Sequence, residues 1–260
     1  MVIAARKDNG ARVCIGLGSP FARDLLKWTT SERAGGAHRM SKGTRKPPPA
    51  IRHKEPIMAC KPVTEWVYVI QGFTQTRATR SRMVELWKEL YDKHASPECL
   101  VELRQWNANW KAEAEHILRM TPDESGAQTT IKIFAYSWGA GWGFTQLAKA
   151  LGSRGLRVSS AVLCDPVYRH SYRLGHWRTF ITSWPIVIPP NVDEVYSFFQ
   201  RMNWPCGHTL KAASDETTMH HPIELQADHS AMEDQPQFLA RCRLVAQSLR
   251  IFPDLKDGHE

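Results

Sequence analysis

Beyond residue 62 short continuous apolar runs alternate with longer stretches of helical spacing. "WVYVI" (66–70) is β-branched and aromatic, and it ends at Gly72. A run with no polar face predicts a strand buried on both sides. "RSRMVELWKELYDKH" (80–94) places Met83, Val84, Trp87, Leu90 and Tyr91 on one stripe, which predicts an amphipathic helix. The alternation continues. A strand is predicted over 99–106 and a helix over 108–120, stopped at Thr121-Pro122. "IKIFAY" (131–136) predicts the third strand. A helix over 140–155 follows, with Phe144, Leu147, Ala148 and Leu151 inward, and then a fourth strand over 157–165. "EVYSFFQR" (194–201) and "PIELQA" (222–227) predict a fifth and a sixth strand, and 235–250 a last helix.

Strands and helices in strict alternation predict an α/β fold: a mostly parallel sheet with helices on both faces. Right-handed crossovers put the functional loops of such a sheet at the carboxyl ends of its strands. That directs attention to Gly72-Phe73, Ser137, Asp165 and His229. No internal repeat is visible.

The first 60 residues have a different texture. They hold 12 Lys/Arg and 4 Asp/Glu, against 34 and 26 in the whole chain, so they carry the entire net charge of +8. The remaining 200 residues are neutral overall. The stretch "SKGTRKPPPAIRHKEP" is rich in proline and charge and lacks periodicity, as a loosely packed or disordered extension would. "FARDLLKWTT" (21–30) has room for one or two helical turns. We therefore expect residues 1–60 to be a basic arm and 61–260 the folded domain. The arm reads first as an extension or linker; no nucleic acid is expected to bind the neutral body, and the arm is the one place with the charge to take a polyanion.

Charges and glycines interrupt every apolar stretch near the N-terminus, so no secretory signal and no membrane span is expected. Six cysteines are scattered without a CxxC pair, which predicts reduced thiols and a cytoplasmic setting. Cys206, His208, His220, His221 and Asp228 are possible metal ligands, but their spacing fits no recognised site, so neither metal nor cofactor is expected.

The chemistry centres on "FAYSWGAGWG" (134–143), where a lone serine stands between a predicted strand and a predicted helix. A nucleophilic serine has to be lifted clear of its neighbours on a tight turn. Only small residues fit two positions before and after it, here Ala135 and Gly139. The helix behind it offers free N–H groups and a positive dipole end.

"A-Y-S-W-G" resembles the G-x-S-x-G nucleophile elbow of the α/β-hydrolases, with alanine in place of the first glycine, and the resemblance covers roughly residues 63–250. It implies a Ser-His-Asp triad and an acyl-enzyme mechanism on an ester-type bond, with a small-molecule acyl substrate. Ser137 is the expected nucleophile. "V-I-Q-G-F-T-Q" looks like the strand-H-G-F stretch of lipases, so the N–H groups of Phe73 and Trp138 are the expected oxyanion hole. Asp165, in "AVLCDPVYR", is the expected acid, one strand earlier than usual in this fold and as in pancreatic-type lipases. Asp193 and Asp215 are its rivals. His229 in "ELQADHSAMED" is the expected base, with His220, His221 and His208 as alternatives. The order Ser137, Asp165, His229 matches that of the fold.

Of two other readings, one fails and one stays open. A dinucleotide site would need G-x-G-x-x-G after the first strand, and "GAGWG" lies in the wrong place. A non-catalytic interaction protein on the same scaffold, with the basic arm binding an acidic partner, is the alternative function. Residues 168–192 are long for a connection and rich in aromatics. They are expected either to cap the site or to pack on the body, with Tyr168, Trp177 and Trp142 as substrate-binding residues.

Overall fold

A computed structural model describes residues 2–6, 12–16, 63–73, 75, 81–121, 129–169 and 181–248. The chain divides into two units, Met1–Lys61 and Pro62–Glu260. In the first, β1 (Val2–Arg6) pairs antiparallel with β2 (Arg12–Gly16). The helical turns expected at 21–30 lie outside the described residues.

The second unit is built on a parallel sheet. Its strands are β3 (Glu65–Gln71), β4 (Cys99–Gln105), β5 (Thr130–Tyr136), β6 (Ser160–Cys164) and β8 (Glu194–Phe199), in spatial order β4-β3-β5-β6-β8. Two short strands, β10 (Thr218–Met219) and β11 (Ile223–Glu224), both pair parallel with β8. A separate pair joins β7 (Ile186–Ile188) to β9 (Leu210–Ala212).

The helices are α1 (Arg82–His94), α2 (Trp110–Met120), α3 (Phe144–Gly152) and α4 (Pro236–Gln247). The alternating side chains of β3 show how they are layered. Trp66, Tyr68 and Ile70 pack with Trp110, Ala114 and Ile117 of α2 and with Phe144, Leu147 and Leu151 of α3. Val67 and Val69 point the other way, to Met83, Leu86 and Leu90 of α1 and Phe238 and Leu239 of α4. Central strands β5 and β6 are buried throughout, whereas β4 at the edge alternates buried with half-buried, as one free side allows. The inward stripe of α1 differs by one position from the expectation: Leu86 is buried and Tyr91 is 40% exposed.

The sixth strand, predicted over 222–227, shrinks to Ile223–Glu224, and β10 lies before the predicted span. β10 pairs with the amino end of β8 (Thr218 opposite Glu194) and β11 with its carboxyl end (Glu224 opposite Phe199). The predicted helix over 140–155 also begins differently, with a π-helical turn at Gly139–Gly143 running into α3. Among the described residues no helix is long and apolar enough to cross a membrane, and no His, Cys, Asp and Glu cluster could hold a metal ion. Cys99, Cys164, Cys206 and Cys242 are free thiols.

Candidate active site

β5 and β6 are adjacent and parallel, with Tyr136 opposite Cys164. The residues that follow them, Ser137 and Asp165, therefore leave the sheet side by side at its carboxyl edge. Both have left-handed backbones, with φ of 55° and 45°. A serine in this region carries a steric cost of about 1–3 kcal/mol, which persists only where surrounding bonds hold it. Those bonds are present. Ser137 N–H donates to the Cys164 carbonyl at 2.9 Å, and its own carbonyl accepts from Gly141 at 2.9 Å and from Val167 at 3.2 Å. Asp165 N–H donates to the Phe198 carbonyl at 2.7 Å.

The small residues at the turn have a direct reason. A Cβ at Gly139 would stand 2.5 Å from the Gln71 carbonyl oxygen, and one at Gly72 would stand 3.1 Å from Ser137 Cβ. The end of β3 thus lies hard against the serine turn.

His229 opens a short 3-10 helix, His229–Asp234, five residues beyond β11. Its Nε2 lies 2.9 Å from Ser137 Oγ and its Nδ1 lies 2.5 Å from Asp165 Oδ2. With Nδ1 protonated toward the carboxylate, Nε2 is left to accept the serine proton. Ser137 and Asp165 are buried and His229 is half-buried.

Supports surround the three. Gln200 donates to both Asp165 oxygens, its N–H to Oδ1 and its Nε2 to Oδ2, each at 3.2 Å. Asn203 Oδ1 accepts the His229 N–H at 2.9 Å. The Tyr136 hydroxyl donates to the His229 carbonyl at 2.7 Å, and its ring stacks on the imidazole with centroids 5.3 Å apart. Burial, and behind it the Glu233 carboxylate, pushes the Tyr136 phenol well above its usual range, so it stays a donor. Glu233, in the same 3-10 helix, accepts from Gln75 Nε2 at 2.8 Å, while Gln75 Oε1 accepts the Gly72 N–H at 2.9 Å. Loop 72–75 is thereby tied to the segment that carries His229. Gln200, Asn203, Gln75 and Glu233 act through loop geometry, and no periodicity or motif in the chain marked them.

The rivals lie elsewhere. Asp193 bonds Arg157 at the amino end of β8, at 2.7 Å from its Nε, and Asp215 is exposed. His220 Nε2 meets Glu194 Oε1 at 2.7 Å and stacks on Tyr196, again at the amino end of β8, and His221 is exposed. His208 is buried and accepts the Tyr168 N–H on Nδ1 at 3.2 Å.

Trp138 begins the helical turn after Ser137. The first helical bond runs from Gly141 N–H to Ser137 O, so the amides of residues 138–140 precede any intrahelical acceptor. The Phe73 and Trp138 rings lie against each other with centroids 4.2 Å apart. Trp106 closes this aromatic group, 5.1 Å from Trp138 and 6.0 Å from Phe73. Arg169 stands among three indoles, its guanidinium carbon 4.2 Å from the Trp106 centroid and 5.5 Å from those of Trp138 and Trp142. Desolvation lowers its pKa from the ordinary arginine value. Tyr168 is half-buried beside His208. Trp177 lies outside the described residues, as does the stretch 170–180 of the expected cap. The described part of that segment, from residue 181, contributes β7 to the small sheet.

A cavity of about 310 Å³ opens at the opposite, amino-terminal edge of the sheet, lined by Lys132 and Glu194 among others. Lys132 there is satisfied by Glu65 Oε1 at 2.6 Å and by the carbonyls of Ser248 at 2.8 Å and Ala246 at 3.1 Å. It is a buried structural ion pair.

No family model matches the chain, and no curated protein does. Among solved structures it is similar to a thioesterase, RedJ, from the prodiginine biosynthetic pathway in Streptomyces coelicolor. The identity is 12% and the TM-score 0.38, over 90% of this chain and 97% of that one. A RedJ structure with a PEG molecule bound in the active site gives 14% and 0.39, over 84% and 99%. At these values the likeness carries no argument about activity. The chain has an α/β fold, a parallel sheet between two layers of helices, with a serine, a histidine and an aspartate joined at its carboxyl edge.

Proposed function

We propose that the chain is a serine hydrolase of α/β-hydrolase type, acting on an ester or thioester through an acyl-enzyme. One observation carries this reading: the continuous chain Ser137 Oγ, His229 Nε2, His229 Nδ1, Asp165 Oδ2, with links of 2.9 and 2.5 Å. In the first step Ser137 attacks the carbonyl carbon while its proton passes to His229 Nε2. Asp165 holds the imidazole in the required tautomer and stabilises the imidazolium. The developing oxyanion takes the N–H groups of Trp138 and Phe73, a pair in which losing one donor typically costs about 2.7–4 kcal/mol. His229 then protonates the leaving alcohol or thiol. A water, deprotonated by the same nitrogen, releases the acyl group and restores Ser137. Residues 61–260 form the catalytic domain and residues 1–60 a basic arm outside the chemistry.

The test is labelling with a fluorophosphonate probe alongside hydrolysis of p-nitrophenyl butyrate. The chain should take one probe per molecule at Ser137. Ser137→Ala should stay folded and lose at least about 10³-fold in kcat. A folded chain that neither reacts nor hydrolyses would instead be an interaction protein on this scaffold.

A further inference from the structure

We propose that Arg169 and the basic groove beside it bind an oxyanion group, carboxylate or phosphate, carried by the substrate. This rests on the hydrolase reading above and names the substrate class. The groove has a volume of about 460 Å³. It runs from the N-terminus of α2 along the flank of α3, and Trp142 and Arg169 stand at its active-site end. Among the described residues its charged lining is Lys111, Lys149, Arg154 and Arg169, with no carboxylate. Arg154 is tied outward to Glu115 at 2.8 Å.

Arg169 is the link to the reaction. It follows Asp165 by four residues on the loop leaving β6, and its guanidinium lies over Trp138, the neighbour of Ser137. The three indole faces offset part of the cost of removing a cation from water. They supply no lone pair to its N–H groups, and Arg169 Nε is buried without a hydrogen-bond partner. A buried donor left unmade is costly, and a guanidinium edge matches the geometry of a carboxylate or a phosphate. An anionic substrate entering the groove would meet Lys111 and Lys149 on its way to the guanidinium of Arg169.

Two measurements decide it. In the full chain carrying Ser137→Ala, inorganic pyrophosphate and succinate are titrated separately by calorimetry at constant ionic strength. Saturable binding of at least one is expected, and the tighter of the two identifies phosphate or carboxylate as the preferred group. Arg169→Gln should weaken it at least about tenfold, with Arg169→Lys between the two. In the active chain, kcat/KM is compared for mono-p-nitrophenyl succinate and p-nitrophenyl butyrate, esters of similar length with and without a terminal charge. Arg169→Gln should lower the ratio of the two values at least about tenfold. No saturable binding, equal binding in Arg169→Gln, or an unchanged ratio each overturns the proposal. If the unmodified chain cleaves neither ester, the hydrolase reading fails, and with it the substrate role of the groove. The calorimetry, done without Ser137, still shows whether the oxyanion site exists.

Discussion

Gln200 holds Asp165 at both oxygens, through its backbone N–H and its side-chain amide, and both residues are fully buried. The same amide spans the loop that follows, donating to the carbonyls of Asn203 at 2.9 Å and Pro205 at 2.8 Å. Its Oε1 accepts from Met202 at 2.7 Å and Asn203 at 3.0 Å. One side chain thus orients the acid and shapes the loop whose Asn203 positions His229.

Gln200→Leu should therefore reach both partners of Ser137. It leaves several buried groups unpaired, each costing about 1–3 kcal/mol, so thermal stability should fall clearly. In the fraction still folded, kcat should fall more than tenfold with little change in KM, because the imidazole loses its orientation. Steady-state kinetics below the melting range checks this. A variant with native kcat would show that Asp165 needs no second support.

The acid and the base are separable from their rivals. Asp165→Asn should cost at least about 10²-fold in kcat, because it disrupts the tautomer and the imidazolium stabilisation together. Asp193→Asn, which breaks an ion pair with Arg157 at the far end of β8, should leave kcat within about twofold. His229→Ala should abolish turnover and slow fluorophosphonate labelling of Ser137, while the His220→Ala/His221→Ala double variant keeps both. Equal losses within either comparison would move the site away from Ser137, Asp165 and His229.

Outside the site, Glu89 on α1 and Arg243 on α4 form a two-pronged ion pair at 2.8 and 2.9 Å. Hydrogen bonds from Arg243 and then Lys93 lower the Glu89 pKa to about 2. The carboxyl binds its proton less readily when folded. Its contribution is thus present above the unfolded value of about 4.3 and lost as pH falls from there toward about 2. Both side chains are partly exposed, so the effect is below about 1 kcal/mol. Arg243→Met should lower stability at pH 7 by roughly 0.5–1 kcal/mol, with the difference shrinking across that acid window in urea melts. A difference independent of pH would assign the loss to packing.

Removing residues 1–61 should leave a domain that melts cooperatively and retains kcat, since the chain divides at Lys61 and the arm holds none of the three joined residues. Aggregation of the shortened chain would show that the arm covers apolar surface of the domain.

The strands and helices that could be read in the sequence are those of the sheet centre. β3 carries the continuous apolar run Trp66–Ile70 and β5 the run Ile133–Tyr136 because both faces are covered, and burial on two sides leaves a direct trace in composition. Ser137 was legible for a similar reason: the close approach of Gly139 to the end of β3 demands a small residue and so marks the turn. The sheet edge beyond β8 was not legible. Ile223 and Glu224 are exposed and pair only briefly, so the pattern over 222–227 suggested more strand than forms. The supports of the site were equally silent. Gln200 and Asn203 look like ordinary polar loop residues until folding brings Asp165 and His229 beside them.

Ser137 and Asp165 have left-handed backbones on neighbouring strands, a conformation in which glycine would rest without a Cβ penalty. A Ser137→Gly chain would shed about 1–2 kcal/mol of that penalty, at the cost of the hydroxyl and some unfolded-state entropy. On the hydrolase reading, the side chains that attack and orient both sit where the backbone alone would rest more easily as glycine.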